Sequence, residues 1–340
     1  MYMRRCIDLA RIARGQTFPN PLVGAVLVYK DRIIGEGFHH RAGEPHAEVL
    51  AFASVRAADR HLIPQSILYV SLEPCAHRGR TPACAPMVVD QGVAGVVVGS
   101  VDPFFKVHGK GIQILREAGI PVEVGVLKEE TDALNRFFIT AHTLGRPYIT
   151  LKWARSADGF IDAVRSDPPQ TPPVHFSTPL SGQWVHNLRG EHQAILVGNG
   201  TVLFDNPRLS NRATPHGPQP LRIILCGRES IPPHYHVLDD TQPTLLLIPE
   251  GAKAPNVQGM RQTERMPLPA GATLKEILQL LYRRGIIALL VEGGAKLLKE
   301  FIANELYDCI RVERSPLRLR QGVAAPALPP GLKHVGTLQG

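Results

Sequence analysis

Apolar positions in the first 145 residues follow a helical period in some segments and a strand pattern in others. The predicted helices are Met3–Arg14, His46–Ala58, a segment ending near Gln91, Gly111–Ala118 and Glu129–Leu144. The predicted strands are Leu22–Val28, Ile33–Phe38, Ile67–Ser71, Val96–Ser100 and Pro121–Val126. This alternation predicts a layered α/β domain with parallel strand pairing in its second half.

A breaker cluster at Gly145-Arg146-Pro147 marks the predicted boundary between domain 1–145 and domain 146–340. A second alternation follows it. The strands predicted there are Tyr148–Ala154, Ala194–Val197, Leu221–Leu225, Thr244–Ile248, Ile286–Glu292 and Cys309–Val312, and the helices are Leu180–Arg189, Leu274–Arg284 and Ala295–Ala303. No internal repeat is evident, so the two halves are predicted to be different α/β folds.

Composition is that of an ordinary globular chain. Its 340 residues fit two domains of about 150 residues each, and 44% are hydrophobic and 20% charged. No stretch reaches the ~18 apolar residues of a membrane span, and no secretory signal follows Met1. Five cysteines are odd in number and too few for a disulfide scaffold. We therefore expect a cytoplasmic protein without a membrane partner.

The formal net charge of +8 favours anionic partners, such as nucleic acid, phosphorylated small molecules or phosphate-bearing cofactors. The basic residues are spread along the chain, without the run of five or six that a nucleic-acid arm would show. Charge alone therefore does not choose among these partners.

Two short motifs in the first half together predict a zinc site. His46-Ala47-Glu48 opens a predicted helix, and Pro74-Cys75 follows a predicted strand, with Cys84 further along. Each motif is weak alone, but this order matches the zinc deaminases, in which one His and two Cys bind the metal and the Glu does not. Three protein ligands leave a fourth tetrahedral position for water, as in catalytic zinc sites.

These residue types suit hydrolytic deamination. Zinc lowers the pKa of bound water from 15.7 to about 7, which gives a hydroxide that can add to an amidine carbon. Glu48 would carry the proton of that water to the departing ammonia. Thr81-Pro82 are expected to begin a helix with Cys84 in its first turn, where the dipole favours thiolate. A structural zinc site and two unrelated core cysteines remain as alternatives.

Longer runs around these motifs resemble one family, the bifunctional riboflavin-biosynthesis enzymes. The first half carries Pro19-Asn20-Pro21-Leu22-Val23-Gly24, residues 37–48 and residues 73–84, with Gly79-Arg80-Thr81-Pro82 between the cysteines. The second half carries residues 151–159, residues 194–212 and Val291-Glu292-Gly293-Gly294-Ala295. The long spacing between the cysteines is specific to this family, whereas other deaminases usually have Cys-x-x-Cys. The insert His77–Thr81 is basic and suited to a phosphate, or is only surface length.

The resemblance implies a cytidine-deaminase-like three-layer α/β/α sandwich followed by a dihydrofolate-reductase-like α/β domain. The first would be a zinc-dependent pyrimidine deaminase and the second an NADPH-dependent pyrimidine reductase, with one zinc per chain. The substrate would be 2,5-diamino-6-(5-phosphoribosylamino)pyrimidin-4(3H)-one, deaminated to 5-amino-6-(5-phosphoribosylamino)uracil, whose ribosyl chain is then reduced to ribityl. The family also implies a homo-oligomer, either a dimer joined through the reductase halves or a tetramer.

The resemblance assigns site residues as well. In the first half, zinc is held by His46, Cys75 and Cys84, the catalytic residue is Glu48, and the pyrimidine is contacted by Asn20 and His39. In the second half, the substrate positions are Lys152, Arg189, Leu209, Arg212 and Glu292, and the NADPH positions are Ala154, His175, Thr201, Asp205 and Gly294.

Elementary chemistry supports part of the second set. Lys152 lies on a predicted buried strand, where it should pair with a carboxylate or a substrate oxygen unless it faces solvent from an edge strand. Arg189 and Arg212 could hold a phosphate bidentately, or be ordinary surface residues. The two glycines after Glu292 lead from a strand into a helix whose first N–H groups can hold a pyrophosphate, although a Gly-x-Gly-x-x-Gly fingerprint is absent from the sequence.

The basic charge, which favours a nucleic-acid enzyme, and two departures from the family pattern, which favour a lapsed reductase, leave other functions open. Phe104 stands where the family usually has Asn, and His175-Phe176 stand in place of Trp-Ile. One alternative is a nucleic-acid deaminase with an accessory RNA-binding domain, although an aromatic and basic stripe is not seen. The other is a zinc-stabilised binding protein whose reductase half has lost its activity.

Overall fold

The computed structural model describes residues 1–76, 82–104, 108–167, 170–214, 216–333 and 336. The chain divides into two compact units, Met1–Arg146 and Pro147–Gly340.

The first unit is built on a five-stranded sheet in the order β2-β1-β3-β4-β5. Its strands are β1 Gly24–Tyr29, β2 Arg32–Phe38, β3 Ile67–Leu72, β4 Gly95–Ser100 and β5 Val122–Val124. Strand β1 pairs antiparallel with β2 and β3, whereas β3, β4 and β5 pair in parallel. The predicted parallel pairing in the second half of the unit is therefore confirmed.

Helices cover both faces of this sheet because β1 is apolar on both sides. The helices are α1 Tyr2–Ile12, α2 Ala47–Ala53, α3 Cys84–Gln91, α4 Lys110–Glu117, α5 Lys128–Leu134 and α6 Arg136–Leu144, with a 3-10 helix at Ala57–Gln65. Val26 packs with α1, whereas Ala25 packs in the core that includes α2, α3 and α4. The unit is thus a three-layer α/β/α sandwich.

Two predicted helices of this unit are interrupted. The helix expected over His46–Ala58 ends at Ala53, and the helix expected over Glu129–Leu144 is divided at Asn135. The buried Asn135 side chain accepts from the backbone N–H of Leu22 and donates to its carbonyl oxygen. The helix divides at the residue whose side chain bonds to the backbone of a distant segment. The apolar periodicity of the sequence does not reveal such a contact.

The second unit is built on a seven-stranded parallel sheet in the order β11-β10-β9-β8-β12-β6-β13. Its strands are β6 Tyr148–Arg155, β8 Ala194–Gly198, β9 Leu221–Leu225, β10 Thr244–Ile248, β11 Thr263–Pro267, β12 Ala288–Glu292 and β13 Cys309–Arg314. A small ribbon pairs β7 Phe160–Asp162 with β14 Val323–Ala324.

Helices cover this sheet as well, because its central strands are apolar on both faces. They are α7 Pro179–Glu191, α8 Asn199–Asp205, α9 Leu274–Arg283 and α10 Ala295–Ala303. Leu289 and Val291 of β12 pack with α9 and α10, whereas Leu290 packs in the core below α7. The strands and helices predicted for this half are present, and β7, α8, β11 and β14 are additions.

Candidate active sites

The three predicted zinc ligands lie together in the first unit. His46 immediately precedes α2, Cys75 follows β3, and Cys84 is the first residue of α3. Their ligand atoms all lie within 4.8 Å of one another, and no other group of three or more potential ligands is found among the described residues. Helix α3 begins at Cys84 with Ala83 as its N-cap, not at Pro82 as predicted, and Thr81 lies outside the described residues.

These three side chains fit a zinc ion. His46 Nδ1 lies 3.2 Å from Cys84 Sγ and 3.6 Å from Cys75 Sγ. Bond lengths of about 2.0 and 2.3 Å in a tetrahedron place ligand N and S atoms about 3.5 Å apart. The backbone N–H of Cys84 donates to Cys75 Sγ over 3.3 Å. Hydrogen bonds from Cys84 and His46 lower the pKa of Cys75 to about 4, against the opposing effect of burial.

Glu48 lies in the first turn of α2 and is buried beside the ligands. Burial raises the pKa of Glu48 to about 7, and Cys75, His46 and Cys84 all act on its charge. A carboxyl group with a pKa near neutrality can both accept and release a proton at neutral pH. The structure therefore places a titratable carboxyl group next to the three candidate zinc ligands.

Asn20 and His39 lie beside the same cluster. The His39 ring meets the His46 ring edge to face at 5.4 Å, and its Nδ1 lies 3.2 Å from the Pro45 carbonyl oxygen. Because that carbonyl only accepts, Nδ1 carries the proton and Nε2 accepts from Asn20 Nδ2 over 3.0 Å. Burial lowers the pKa of His39, which favours this neutral form.

Glu73 orders the segment that carries Cys75, a role that the sequence analysis did not assign. Its buried carboxylate accepts from the backbone N–H groups of Asp102, Gly109 and Gly111 over 3.1, 2.9 and 2.9 Å. It thereby joins the end of β3 to the start of α4. An acidic residue directly after a buried strand was the available signal, because a buried carboxylate needs several donors.

Replacing Gly111 by Ala is expected to lower the zinc content of the first unit. A Cβ at position 111 would lie 1.9 Å from the carbonyl oxygen of Pro74, so the backbone next to Cys75 must move. Metal analysis should give one zinc per chain in the parent and clearly less in Gly111→Ala. Gly95→Ala is the control, since its Cβ would be 3.6 Å from the nearest atom. Equal zinc in all three proteins would contradict this prediction.

In the second unit, Lys152 of β6, Arg189 of α7 and Glu292 at the end of β12 form a cluster of charges. Arg189 Nε and Nη2 donate to the two carboxylate oxygens of Glu292 over 2.9 and 2.6 Å. Burial alone would raise the pKa of Glu292, but Arg189 and then Lys152 lower it overall. Lys152 Nζ lies 3.6 Å from Glu313 Oε2, so the expectation that this buried lysine has a carboxylate partner is met.

The structure does not leave both Arg189 and Arg212 free to hold a phosphate bidentately. Arg189 gives one edge to Glu292 and an Nη1 hydrogen to the Ser210 carbonyl oxygen, which leaves two of its five N–H hydrogens. Arg212 is exposed as a residue, but partial burial of its guanidinium, followed by the charges of Arg189 and Arg208, lowers its pKa. This crowding of positive charge fits an anionic ligand.

Leu209 has its side chain in the core with Leu188 and Ile195, and its φ of 53° lies in the left-handed region. Any contact of Leu209 with a substrate therefore falls to its backbone. Ala154 lies on β6, two residues beyond Lys152 and on the same face of the sheet.

Two of the predicted NADPH positions lie together. Thr201 in α8 packs against the turn that leads from β12 into α10, where Gly293 and Gly294 have φ values of 72° and 68°. A Cβ on Gly294 would lie 3.0 Å from Thr201 Oγ1, so this turn approaches α8 closely. The first N–H groups of α10 are the available donors for a phosphate there.

Two further NADPH positions, Asp205 and His175, differ in their surroundings. Asp205 accepts a hydrogen bond from Arg165, whose guanidinium also lies 2.8 Å from Asp162. His175 is exposed, in the segment before α7.

In the first unit, the Phe104 ring lies 5.0 Å from the His142 ring. The basic insert His77–Thr81 lies outside the described residues.

Among the described residues, no helix combines the length and the apolar character that crossing a bilayer requires.

Comparison with known proteins identifies the family. Residues 147–330 match the RibD C-terminal domain, and residues 1–100 match the cytidine and deoxycytidylate deaminase zinc-binding region. RibD of Aquifex aeolicus is 38% identical over 325 residues, which cover 95% of this chain and 88% of that protein. RibD of Synechocystis is 38% identical over 330 residues, covering 96% of this chain and 86% of the relative.

Comparison with solved structures points to the same family. Acinetobacter baumannii RibD superposes with a TM-score of 0.84 at 33% identity, over 99% of this chain and 92% of that one. A Thermotoga maritima diaminohydroxyphosphoribosylaminopyrimidine deaminase/5-amino-6-(5-phosphoribosylamino)uracil reductase gives 0.85 at 34% identity, over 98% and 93%.

These matches confirm the predicted family, the α/β fold class and the prediction of a bifunctional enzyme with a zinc-binding deaminase part and an NADPH-dependent reductase part. The chain belongs to the RibD family of riboflavin biosynthesis proteins.

Proposed function

We propose that this chain acts twice on one phosphorylated pyrimidine. Residues 1–145 deaminate 2,5-diamino-6-(5-phosphoribosylamino)pyrimidin-4(3H)-one, and residues 146–340 reduce the ribosyl chain of the resulting 5-amino-6-(5-phosphoribosylamino)uracil with NADPH. The observation that carries the proposal is the triangle of His46, Cys75 and Cys84 with Glu48 buried beside it. The name of the Thermotoga maritima relative gives the same two activities.

The deaminating residues have separate tasks. His46, Cys75 and Cys84 would hold zinc, which supplies an activated water at neutral pH. Glu48 would take a proton from the attacking water and pass it to the exocyclic nitrogen, so that ammonia leaves as a neutral molecule. Asn20 and His39, fixed by their mutual hydrogen bond, orient the pyrimidine ring. Glu73 keeps Cys75 in place from outside the site.

The reducing residues bind and orient two anionic ligands. Lys152, Arg212 and the remaining hydrogens of Arg189 attract the phosphorylated pyrimidine, with Glu292 holding Arg189 and the backbone of Leu209 nearby. Thr201, Gly294 and the first N–H groups of α10 bind NADPH, together with Ala154, Asp205 and His175. NADPH supplies the hydride when it is bound.

The same proposal covers partners and location. The ligands are the phosphorylated pyrimidine and NADPH, without nucleic acid or membrane. The chain works in the cytoplasm as a homo-oligomer, a dimer joined through the second unit or a tetramer.

One experiment tests both halves of the function. The purified chain is incubated with the diaminopyrimidine phosphate, with and without NADPH, and each product is identified by its mass. Without NADPH, we expect one amino group to be exchanged for oxygen and ammonia to be released. With NADPH, the product should gain two further hydrogens. Activity on RNA, with affinity that falls steeply with salt, would instead support the nucleic-acid deaminase.

NADPH is expected to stabilise the second unit selectively. Both tryptophans, Trp153 and Trp184, lie in this unit, so their emission follows its thermal unfolding alone. A cofactor at 100 times its Kd adds about 2.7 kcal/mol to the free energy of unfolding. NADP⁺, which does not absorb tryptophan emission, serves as the optical control. An unchanged transition at millimolar cofactor would favour a reductase half that has lost its activity.

A further inference from the structure

Three side chains converge on the carboxylate of Glu313, near the end of the edge strand β13: Lys152 of β6, Ser181 of α7 and Ser177 in the segment before α7. Ser177 Oγ donates to Oε2 over 2.8 Å, and Ser181 Oγ donates to Oε1 over 2.6 Å. Lys152 Nζ lies 3.6 Å from Oε2, and the side chains of Lys152 and Glu313 are only 10% and 12% exposed. Because both oxygens accept from a serine, the carboxylate itself is fixed.

The register of the sheet explains why Lys152 needs this carboxylate. Strand β6 lies between β12 and β13, with Lys152 opposite Glu292 on one side and Ala154 opposite Glu313 on the other. Residues two apart share a face of the sheet, so the Lys152 ammonium lies between two carboxylates. Arg189 already balances the charge of Glu292 through two hydrogen bonds. Glu313 supplies a second carboxylate close to Lys152.

The distance between Lys152 and Glu313 keeps the Lys152 ammonium available to a ligand. At 3.6 Å, Lys152 Nζ and Glu313 Oε2 attract each other electrostatically, but they are farther apart than the 2.7–3.2 Å of an N–H···O hydrogen bond. The ammonium can therefore direct its N–H groups to a substrate oxygen while its position is held.

Glu313 also holds the start of α7. Ser181 takes part in the capping box of this helix with Thr178, and its hydroxyl hydrogen reaches Glu313. A negative charge next to a helix N-terminus is favourable. The last turn of α7 carries Arg189, which is bound to Glu292. The helix is thus held at both ends by carboxylates from the two strands that flank Lys152.

We propose that Glu313 is a positioning residue for the reductase reaction. It holds the Lys152 ammonium in place for the pyrimidine substrate, and it fixes residues 177–181, which follow the proposed cofactor residue His175. This inference rests on the reductase function proposed above.

Two variants separate the two parts of this role. Glu313→Gln keeps an acceptor and a donor for the serines but removes the negative charge near Lys152. We expect its reductase KM for the pyrimidine substrate to rise about tenfold, with the KM for NADPH within about twofold of the parent. The double variant Ser177→Ala/Ser181→Ala keeps the charge but releases the segment before α7. Its KM for NADPH is expected to rise more than its KM for the pyrimidine.

Glu264→Gln is the matched control, because Glu264 forms an exposed ion pair with Arg284 in the same unit. It should leave both KM values unchanged. Ammonia release by each preparation shows that the first unit is intact, and tryptophan emission shows that the second unit is folded. If Glu313→Gln does not fold, the double serine variant provides the test.

Two results would overturn the role of Glu313. One is a pyrimidine KM of Glu313→Gln within twofold of the parent, and the other is an equal rise of both KM values. If Glu313→Gln does not fold, an unchanged KM for NADPH in the double variant Ser177→Ala/Ser181→Ala would also overturn the role of Glu313. A parent chain that does not reduce the uracil compound with NADPH contradicts the proposed function instead, so the two failures are distinct.

Discussion

Replacing Glu48 by Gln is expected to abolish ammonia release while the zinc content stays at one per chain. Gln has nearly the same shape as Glu but cannot carry a proton between water and the leaving amine. Proton transfer by a positioned side chain contributes about 10²–10⁴ to a rate, so we expect a loss of at least a hundredfold. His46, Cys75 and Cys84 are unchanged, so metal binding should persist.

The measurement pairs an ammonia assay with metal analysis of the same preparation. Glu36→Gln is the control, since Glu36 lies in the same unit and pairs with Arg5 at the surface. It should retain both activity and zinc. Reduction of the uracil compound by the second unit should be normal in Glu48→Gln. Ammonia release near the parental rate from Glu48→Gln would remove Glu48 from the mechanism and leave a structural zinc site as the better interpretation.

Replacing Arg189 by Met is expected to abolish reduction and to destabilise the second unit by about 3–5 kcal/mol. The substitution leaves the carboxylate of Glu292 buried without the partner that donates to both of its oxygens. It also removes positive charge from the proposed phosphate site. Denaturant unfolding followed by tryptophan emission measures the change in the free energy of unfolding for this unit.

The destabilisation should depend on pH in a defined direction. Arg189 keeps the pKa of Glu292 below its ordinary value of 4.5, although burial opposes this. The pair therefore contributes stability above pH 4.5, and that contribution is lost as the pH falls through the lowered pKa of the folded state. The difference in unfolding free energy between parent and Arg189→Met should accordingly shrink in acid.

Arg284→Met provides the comparison for this variant. Arg284 pairs with Glu264 at the surface, where an ion pair contributes about 0–1 kcal/mol. Its loss should change neither the reductase rate nor the tryptophan-detected transition appreciably. If Arg189→Met is no less stable than Arg284→Met, the pair with Glu292 is not a source of stability, and an undiminished reductase rate would remove Arg189 from the site.

Most of the elements and the grouping of His46, Cys75 and Cys84 could be predicted from the sequence. Apolar runs such as Leu221–Leu225 and Thr244–Ile248 are strands with the predicted bounds, because a strand buried on both faces is apolar throughout. Strand β11, Thr263–Pro267, was missed because it is a polar edge strand that depends on its pairing with β10.

The zinc motif can be recognised in the sequence because metal binding allows few residue types at each ligand position. Glu48 can be recognised in the same way, because proton transfer also allows few residue types. What only the tertiary structure decided is which side chains become partners across long separations in sequence. Asn20 meets His39, Glu73 meets the N–H groups around α4, and Arg189 meets Glu292.

Glu313 shows the same limit most clearly. In the sequence it is a charged residue just beyond a predicted strand, whereas in the fold it joins Lys152 of β6 to two serines at the start of α7. Local pattern determines which segments are apolar and therefore buried. The partner of a buried charge is determined by strand order and register, and these depend on the packing of the whole unit.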